Sequence, residues 1–175
     1  EFAAANDPTV IGTVEQLEAL HPAAHALAAH IVHVEGPLPE IAVRKRVAKA
    51  FGLSRVAARR LDDLAVFTRQ MVVSEHTWGA YVWPSHRAPD AWRGFRLTTL
   101  EQRAVIDIAP EELINYMEAI TRVSLGISRT ELVDTTAKAF GRKSITREVA
   151  GHLDLVIGLA LEQGRLVDDG TIKVP

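Results

Sequence analysis

The chain of 175 residues contains no cysteine, which excludes disulfide frameworks, thiolate zinc sites and thiol nucleophiles together. It also lacks any run near 18 apolar residues, and no charged segment followed by an apolar one opens it. We therefore expect neither a membrane partner nor a secretory signal. We expect the protein to be located in the cytoplasm. An apolar content of 47% argues against disorder. Because no initiator Met precedes Glu1–Ala5, we interpret the sequence as an excerpt from a longer protein.

Signatures of common catalytic sites are missing as well. None of the patterns G-x-x-x-x-G-K-[ST], G-x-G-x-x-G, G-x-S-x-G or H-E-x-x-H occurs. Four histidines, His21, His25, His30 and His33, form two pairs with ligand-like spacing, but the pairs point about 80° to 180° apart on a helix. Surface histidines are therefore favoured over a metal site. We expect a fragment that is not an enzyme and that needs no cofactor.

Charge is nearly balanced overall but unevenly distributed. The formal net charge of −2 gives no global attraction for nucleic acid. Residues 40–70, however, hold eight Lys and Arg against three acids, and residues 136–150 hold four against one. Residues 1–39 and 101–135 are acidic. The two basic segments are either solvated helix faces with ion pairs or contacts for a polyanion.

The two basic segments share a repeated string. Ala48–Gly52 reads AKAFG and recurs as Ala137–Gly141, an offset of 89 residues. A predicted helix start precedes each copy, and the second, Ser128–Glu131, has the form of a capping box. The final glycine of each string stands where a left-handed residue would end a helix. These matches indicate an internal duplication.

Hydrophobic periodicity predicts three helices and a β-hairpin in each copy. In the first copy the predicted elements are helices Val14–Val34, with a break at His21-Pro22, Glu40–Phe51 and Ser54–Arg69, and strands Met71–Val73 and Tyr81–Trp83. In the second they are helices Pro110–Val123, Arg129–Phe140 and Ser144–Gln163, and a hairpin over Arg165–Val174 around an Asp-Gly turn.

Three helices followed by a hairpin, with a tight glycine turn between the second and third, are typical of the winged helix-turn-helix fold. We therefore predict a mainly α protein with small β-hairpins, in the α+β class, built from two tandem winged helix-turn-helix units. The predicted domains are residues 10–100, with an enlarged aromatic wing, and residues 101–175.

Residues 74–96 hold all three tryptophans, interleaved with arginines. This composition suits stacking on unpaired bases, but it also suits packing of an enlarged wing against the neighbouring unit. Packing is favoured, because Pro84, Pro89 and Gly94 indicate a structured loop that needs anchors.

In such a fold the third helix of each unit would face a nucleic-acid groove, and guanidinium groups there can pair with phosphate or guanine. The candidate nucleic-acid-binding residues are Arg44, Lys45, Arg55, Arg59, Arg60, Arg142, Lys143 and Arg147. No catalytic or metal-binding residue is predicted. The alternative is a protein–protein interaction module, since winged helices also serve as protein contacts.

The stretches His33–Pro37, Val47–Gly52, Ile108–Leu113, Ala139–Gly141 and Gly164–Val167 resemble an uncharacterised domain family at the C-terminal end of very large bacterial proteins. In that family the domain follows a superfamily-1-type helicase core and often an endonuclease similar to the very-short-patch repair enzyme. The resemblance implies an accessory module of an ATP-dependent helicase or nuclease, with DNA and the other domains of that protein as partners. It supplies no site residues.

Overall fold

The computed structural model describes residues 21–53, 55–97 and 103–175, and of Ala58 and Arg59 it describes the backbone. The chain divides into two compact units, of which the first ends at Pro89 and the second runs from Asp90 to Pro175. The sequence pattern predicts this division after residue 100, whereas in the structure it lies after Pro89. Both units combine helices with small antiparallel sheets, so the protein is mixed α and β. The part of the first predicted helix before His21 lies outside the described residues.

The first unit contains helices around a three-stranded sheet. Its elements are α1 (His21–Glu35), β1 (Leu38–Pro39), α2 (Glu40–Ala50), α3 (Ala58–Leu61), a 3-10 helix (Asp63–Phe67), β2 (Val72–His76) and β3 (Gly79–Trp83). The strand order is β1-β3-β2, with every pair antiparallel and Val82 opposite both Leu38 and Val73. Ala24, Ala28 and Val32 recur every four residues on α1, so one face of this helix enters the core.

The third helical segment of this unit is shorter than the predicted helix Ser54–Arg69. It begins at Ala58, where Ala57 offers no side-chain cap, and after one turn it continues as the 3-10 helix. The buried residues Leu61, Leu64 and Phe67 are spaced by three, which is the period of a 3-10 helix. The prediction of one regular α-helix was wrong, because the spacing of apolar residues in this segment was interpreted as a 3.6-residue period.

The second unit repeats the order of helices and ends in a hairpin. Its elements are a 3-10 helix (Val105–Asp107), α4 (Pro110–Ser124), α5 (Arg129–Ala139), α6 (Arg147–Glu162), β4 (Val167–Asp168) and β5 (Ile172–Lys173). The predicted N-cap at Ser128 is confirmed, since Ser128 Oγ accepts a hydrogen bond from the Glu131 N–H at 3.2 Å. Helix α6 begins later than predicted because Thr146, not Ser144, caps it by accepting from the Val149 N–H.

The duplication extends to the helix boundaries. Helix α5 begins and ends 89 residues after α2, and α4 ends 89 residues after α1. Gly52 and Gly141 have φ angles of 90° and 82°, so both occupy the left-handed region predicted for them. Ile127, which corresponds to Leu38, forms a bridge to Ile172, just as β1 pairs with β3. Each unit thus places a short extended segment between its first two helices and pairs it with the second strand of the hairpin.

Within the described part of the chain, no helix is long and apolar enough to cross a membrane.

Candidate nucleic-acid interface

A groove with basic walls lies beside the end of α2 in the first unit. It has a volume of about 620 Å³ and is lined by Lys45, Lys49, Leu53, Arg55, Val56 and Ala57. We refer to it as the basic groove. The side chains of Lys45, Lys49 and Arg55 are exposed. Each charged residue among these lining residues is a cation, so the groove offers a positive surface to an anion.

The groove follows directly from the local sequence. Val43, Val47 and Ala48 are buried, which leaves Lys45 and Lys49, one turn apart, on the outer face of α2. At the end of the helix the left-handed Gly52 reverses the chain, and the Leu53 N–H donates to the Ala48 carbonyl at 2.9 Å. The chain after this turn supplies Arg55 to the same groove. Lysine and arginine donors at such spacing suit the phosphates of a nucleic-acid backbone.

Arg44 has a different environment from the groove residues. Its side chain is only 11% exposed, and Nη2 lies 2.6 Å from Glu40 Oε1. Nη1 donates to the Leu61 carbonyl at 3.2 Å and lies 3.6 Å from Asp62 Oδ1. The guanidinium therefore ties α2 to the end of α3. We assign Arg44 to the stability of the unit rather than to the groove.

Arg60 lies on α3 and is not among the described residues that line the groove; Arg59 lies on the same helix. The side chain of Arg59 lies outside the described residues. Arg60 is exposed, and its Nη1 is 3.4 Å from Asp63 Oδ2. Lys49, by contrast, lines the groove although the sequence argument did not select it. Its position four residues after Lys45 on one helix is the signal that could have identified it.

Of the candidate cations of the second unit, Arg147 shares a groove with an acid. Arg142 is half-buried, whereas Lys143 and Arg147 are exposed. Arg147 lines a groove of about 480 Å³ between α5 and α6 together with Arg129 and Asp154. Arg129 Nε lies 2.6 Å from Asp154 Oδ1, so this ion pair neutralises one wall.

Further acids lie on α5 and α6 of the second unit. The exposed face of α6 carries Glu148 and Glu162, and Lys138 on α5 lies 2.5 Å from Asp134. Because Asp134 lies outside the basic segment 136–150, the composition of that segment alone does not show that Lys138 is paired.

The aromatic stretch contributes mainly to packing. Trp83 and Tyr81 are buried, and Trp83 Nε1 donates to Ser74 Oγ at 2.9 Å. At the tip of the first hairpin, the rings of His76 and Trp78 are stacked with centroids 5.4 Å apart. Trp83 and Tyr81 are therefore packed side chains.

The C-terminal part of this stretch belongs to the second unit, where a buried carboxylate holds it. Glu112 accepts hydrogen bonds from Arg96 and Arg103 and is fully buried. Burial opposes ionisation of Glu112, but the hydrogen bonds from the two arginines outweigh it, so its pKa lies below its usual value. The next turn of α4 carries Asn115, whose Nδ2 donates to the Gly94 carbonyl at 2.7 Å. Through these contacts the Arg96 guanidinium binds a carboxylate of the protein itself.

The histidines form ring contacts rather than a ligand set. His21 stacks on His25 with centroids 6.0 Å apart, and His33 meets His86 edge-on at 5.5 Å. Among residues 21–53, 55–97 and 103–175, no three His, Asp or Glu side chains converge into a group that could hold a metal ion.

Comparison with known proteins gives one result. Residues 22–62 are similar to a family described as protein of unknown function (DUF3320). This segment includes α1, α2 and α3, and it contains Lys45, Lys49 and Arg55 of the basic groove. No curated protein and no solved structure gives a significant match to the chain. The match agrees with the first part of the resemblance described above and carries no information on helicase or endonuclease domains.

Proposed function

We propose that this chain is a non-catalytic nucleic-acid-binding module made of two winged helix-turn-helix units, and that the first unit holds backbone phosphates in the basic groove. The observation that carries the proposal is the placement of Lys45, Lys49 and Arg55 around one groove whose described lining residues include no acid. In a larger helicase or nuclease, such a module would help the enzyme to engage duplex or forked DNA.

The order of elements supports the winged-helix assignment. In a winged helix, a short strand between the first two helices joins the hairpin that forms the wing. The first unit has the strand order β1-β3-β2, and the bridge between Ile127 and Ile172 gives the second unit the corresponding pairing. The left-handed glycine that ends α2 or α5 provides the turn of a helix-turn-helix motif.

The chemistry of the groove favours contact with phosphates over reading of bases. Two of its three cations are lysines, which act as flexible point charges rather than as the planar forks that recognise guanine. Binding through such contacts releases counterions, so affinity falls steeply as salt rises. We therefore expect binding with modest affinity and little sequence preference.

A binding measurement tests this proposal directly. Fluorescence anisotropy with duplex, forked and single-stranded DNA should be recorded between 50 and 200 mM salt for the whole chain. Replacing Lys45, Lys49 and Arg55 together by Ala should weaken duplex binding at least tenfold and reduce the slope of log K against log salt by about 3. The matched control replaces Lys138, Lys143 and Arg147 by Ala, which removes the same charge from the second unit.

Two outcomes would contradict the proposal. An affinity that survives the groove substitutions would exclude the basic groove as the contact. An equal loss in the groove variant and in the second-unit control would show that only the total charge matters.

A protein-interaction function is the second candidate, and one exposed residue favours it. Leu125, just after α4, is 90% exposed and has a φ of 55°, a conformation that leucine rarely adopts. Val123 beside it is also exposed. Leu125→Gly would remove this apolar side chain and relieve the backbone at once. If the surface mediates self-association, sedimentation velocity should show an oligomer that this substitution dissociates; a monomer at all concentrations would count against self-association.

A further inference from the structure

A second cavity lies in the first unit, away from the lining of the basic groove. It has a volume of about 200 Å³. Helix α1 bounds it on one side, and the residues at the start of β2 and at the end of β3 bound it on the other. Its lining includes His25, Ala29 and His33 of α1 and Gln70, Trp83 and Ser85 from the opposite side. We refer to it as the α1 cavity. None of the described residues lines both this cavity and the basic groove.

The size of the α1 cavity limits what can occupy it. Sites for drug-sized ligands measure about 300 to 1,000 Å³, whereas a cavity of about 150 Å³ suffices for one benzene ring. A volume of about 200 Å³ therefore fits a single ring system and excludes a whole dinucleotide cofactor. The small side chain of Ala29, between the two histidines on α1, helps to keep this space open.

The lining combines an apolar wall with polar edges. Met71 and the buried indole of Trp83 form part of the apolar wall, and Trp83 Nε1 is already bonded to Ser74 Oγ. His25 Nδ1 donates to the Phe67 carbonyl oxygen at 2.9 Å, since a carbonyl can only accept, and Nε2 is the ring's other polar atom. Gln70 adds an amide that both donates and accepts.

A ligand of the α1 cavity must match both its volume and its combination of an apolar wall with polar edges. A phenyl or aliphatic side chain would fill the volume but would make no hydrogen bond to the imidazole of His25 or to the Gln70 amide. A flat ring with several donors and acceptors on its edge satisfies them. We propose that the α1 cavity binds a single nucleobase, either from an unpaired strand or from a free nucleotide. Binding from a strand would extend the proposed nucleic-acid function, and binding of a free nucleotide would not depend on it.

The indole N–H signals of the chain provide a direct readout. Trp83 can be assigned in a ¹H–¹⁵N spectrum by comparison with Trp78→Phe and Trp92→Phe variants, because the chain has three tryptophans. The probes are the four deoxynucleoside monophosphates, a deoxythymidine ten-mer, and a blunt duplex. A base in the cavity should shift the Trp83 signal in a saturable manner, whereas the blunt duplex should not.

Substitutions then locate the binding. Ala29→Phe fills the cavity and should weaken base binding at least tenfold. Ala26→Phe is the matched control, since Ala26 is also exposed on α1 but does not line the cavity, and it should stay within about twofold of the original. Gln70→Leu keeps the volume but removes a polar edge and should weaken binding roughly fivefold or more.

The outcomes separate this inference from the proposed function. A shift with monophosphates alone would identify a free nucleotide as the source of the base, and a shift with the ten-mer would identify a strand. The inference is wrong if no probe moves the Trp83 signal, or if Ala29→Phe binds as well as Ala26→Phe. Duplex binding through the basic groove should be unchanged by Ala29→Phe, and base binding should survive the loss of Lys45, Lys49 and Arg55, so either conclusion can fail alone.

Discussion

Arg96 contacts Glu112 through its backbone as well as its side chain: the backbone N–H donates to Oε1 at 2.7 Å and Nη2 donates to Oε2 at 2.9 Å. Arg103 donates to the same two oxygens at 3.0 and 3.1 Å. The carboxylate at the first turn of α4 therefore anchors the chain that leads into the helix.

Removing this charge should destabilise the second unit. Glu112→Gln would leave two guanidinium groups facing a neutral amide, and we expect a loss of roughly 2 to 4 kcal/mol in the free energy of unfolding. Peptide-resolved hydrogen exchange over α4 measures the change in that unit. Glu162→Gln, an exposed site on α6, serves as the control and should change the free energy by less than about 0.5 kcal/mol. Equal protection in both variants would contradict the anchoring role.

The same carboxylate predicts a dependence on acid. Burial opposes ionisation of Glu112, and the hydrogen bonds from Arg96 and Arg103 exceed that effect, so its pKa is lowered from 4.5. Its contribution to stability is therefore complete above about pH 4.5 and is lost as the pH falls through the lowered pKa. Unfolding of the second unit followed between pH 6 and 3 should show a decline that is shallower in Glu112→Gln. A decline of identical slope in the variant would assign it to other groups.

His152 predicts a second pH dependence nearer to neutrality. Burial lowers the pKa of His152 below 6.5, and the Asp107 carboxylate opposes that shift. The unfolded chain takes up the proton first as the pH falls, so the free energy of unfolding should decrease below about pH 6.5. His152→Leu should remove this part of the slope, whereas His86→Gln in the first unit should leave it in place. Hydrogen exchange over α6 at pH 7.5 and 5.5 provides the comparison.

Two glycines of the second unit should respond to the same substitution with opposite signs. Gly141 has a φ of 82°, so Gly141→Ala should cost about 1 kcal/mol. Gly151 lies on an exposed face of α6, and an added Cβ would meet no atom within 4 Å. Gly151→Ala should therefore stabilise the unit by about 0.5 to 1 kcal/mol. Thermal unfolding of both variants checks the pair, and two shifts of the same sign would contradict it.

Local signals in the sequence explain which parts of the fold were predictable. The repeated AKAFG string, the capping box at Ser128 and the Asp-Gly turn act within a few residues, and the elements that they delimit lie close to their predicted positions. The third segment of the first unit depends instead on the core, because burial of Leu61, Leu64 and Phe67 selects a 3-10 helix there. Helix propensity alone does not distinguish a 3-10 helix from an α-helix in this segment.

The candidate site shows the same limit. The two basic segments were visible as composition, and the i,i+4 spacing of Arg44 with Glu40 and of Lys138 with Asp134 is visible in the sequence as well. The ion pair between Arg129 and Asp154, however, connects two helices through the fold. The α1 cavity has no linear signature either, since Gln70, Trp83 and Ser85 meet α1 through tertiary structure. Net charge over a segment therefore does not show which of its cations are paired with acids in the fold.

The correspondence between α2 and α5 has a consequence for valency. Lys45 and Asp134 occupy the same position in the two copies, as do Lys49 and Lys138. In the second copy the aspartate neutralises the following lysine, so the helix that carries two outward cations in the first unit carries a compensated pair in the second. Under the proposed function, we therefore expect the chain to be monovalent toward a phosphate backbone despite its two similar units, so that linking the units gives no avidity. A single change, Asp134→Lys, would restore the missing pair of cations and make it divalent.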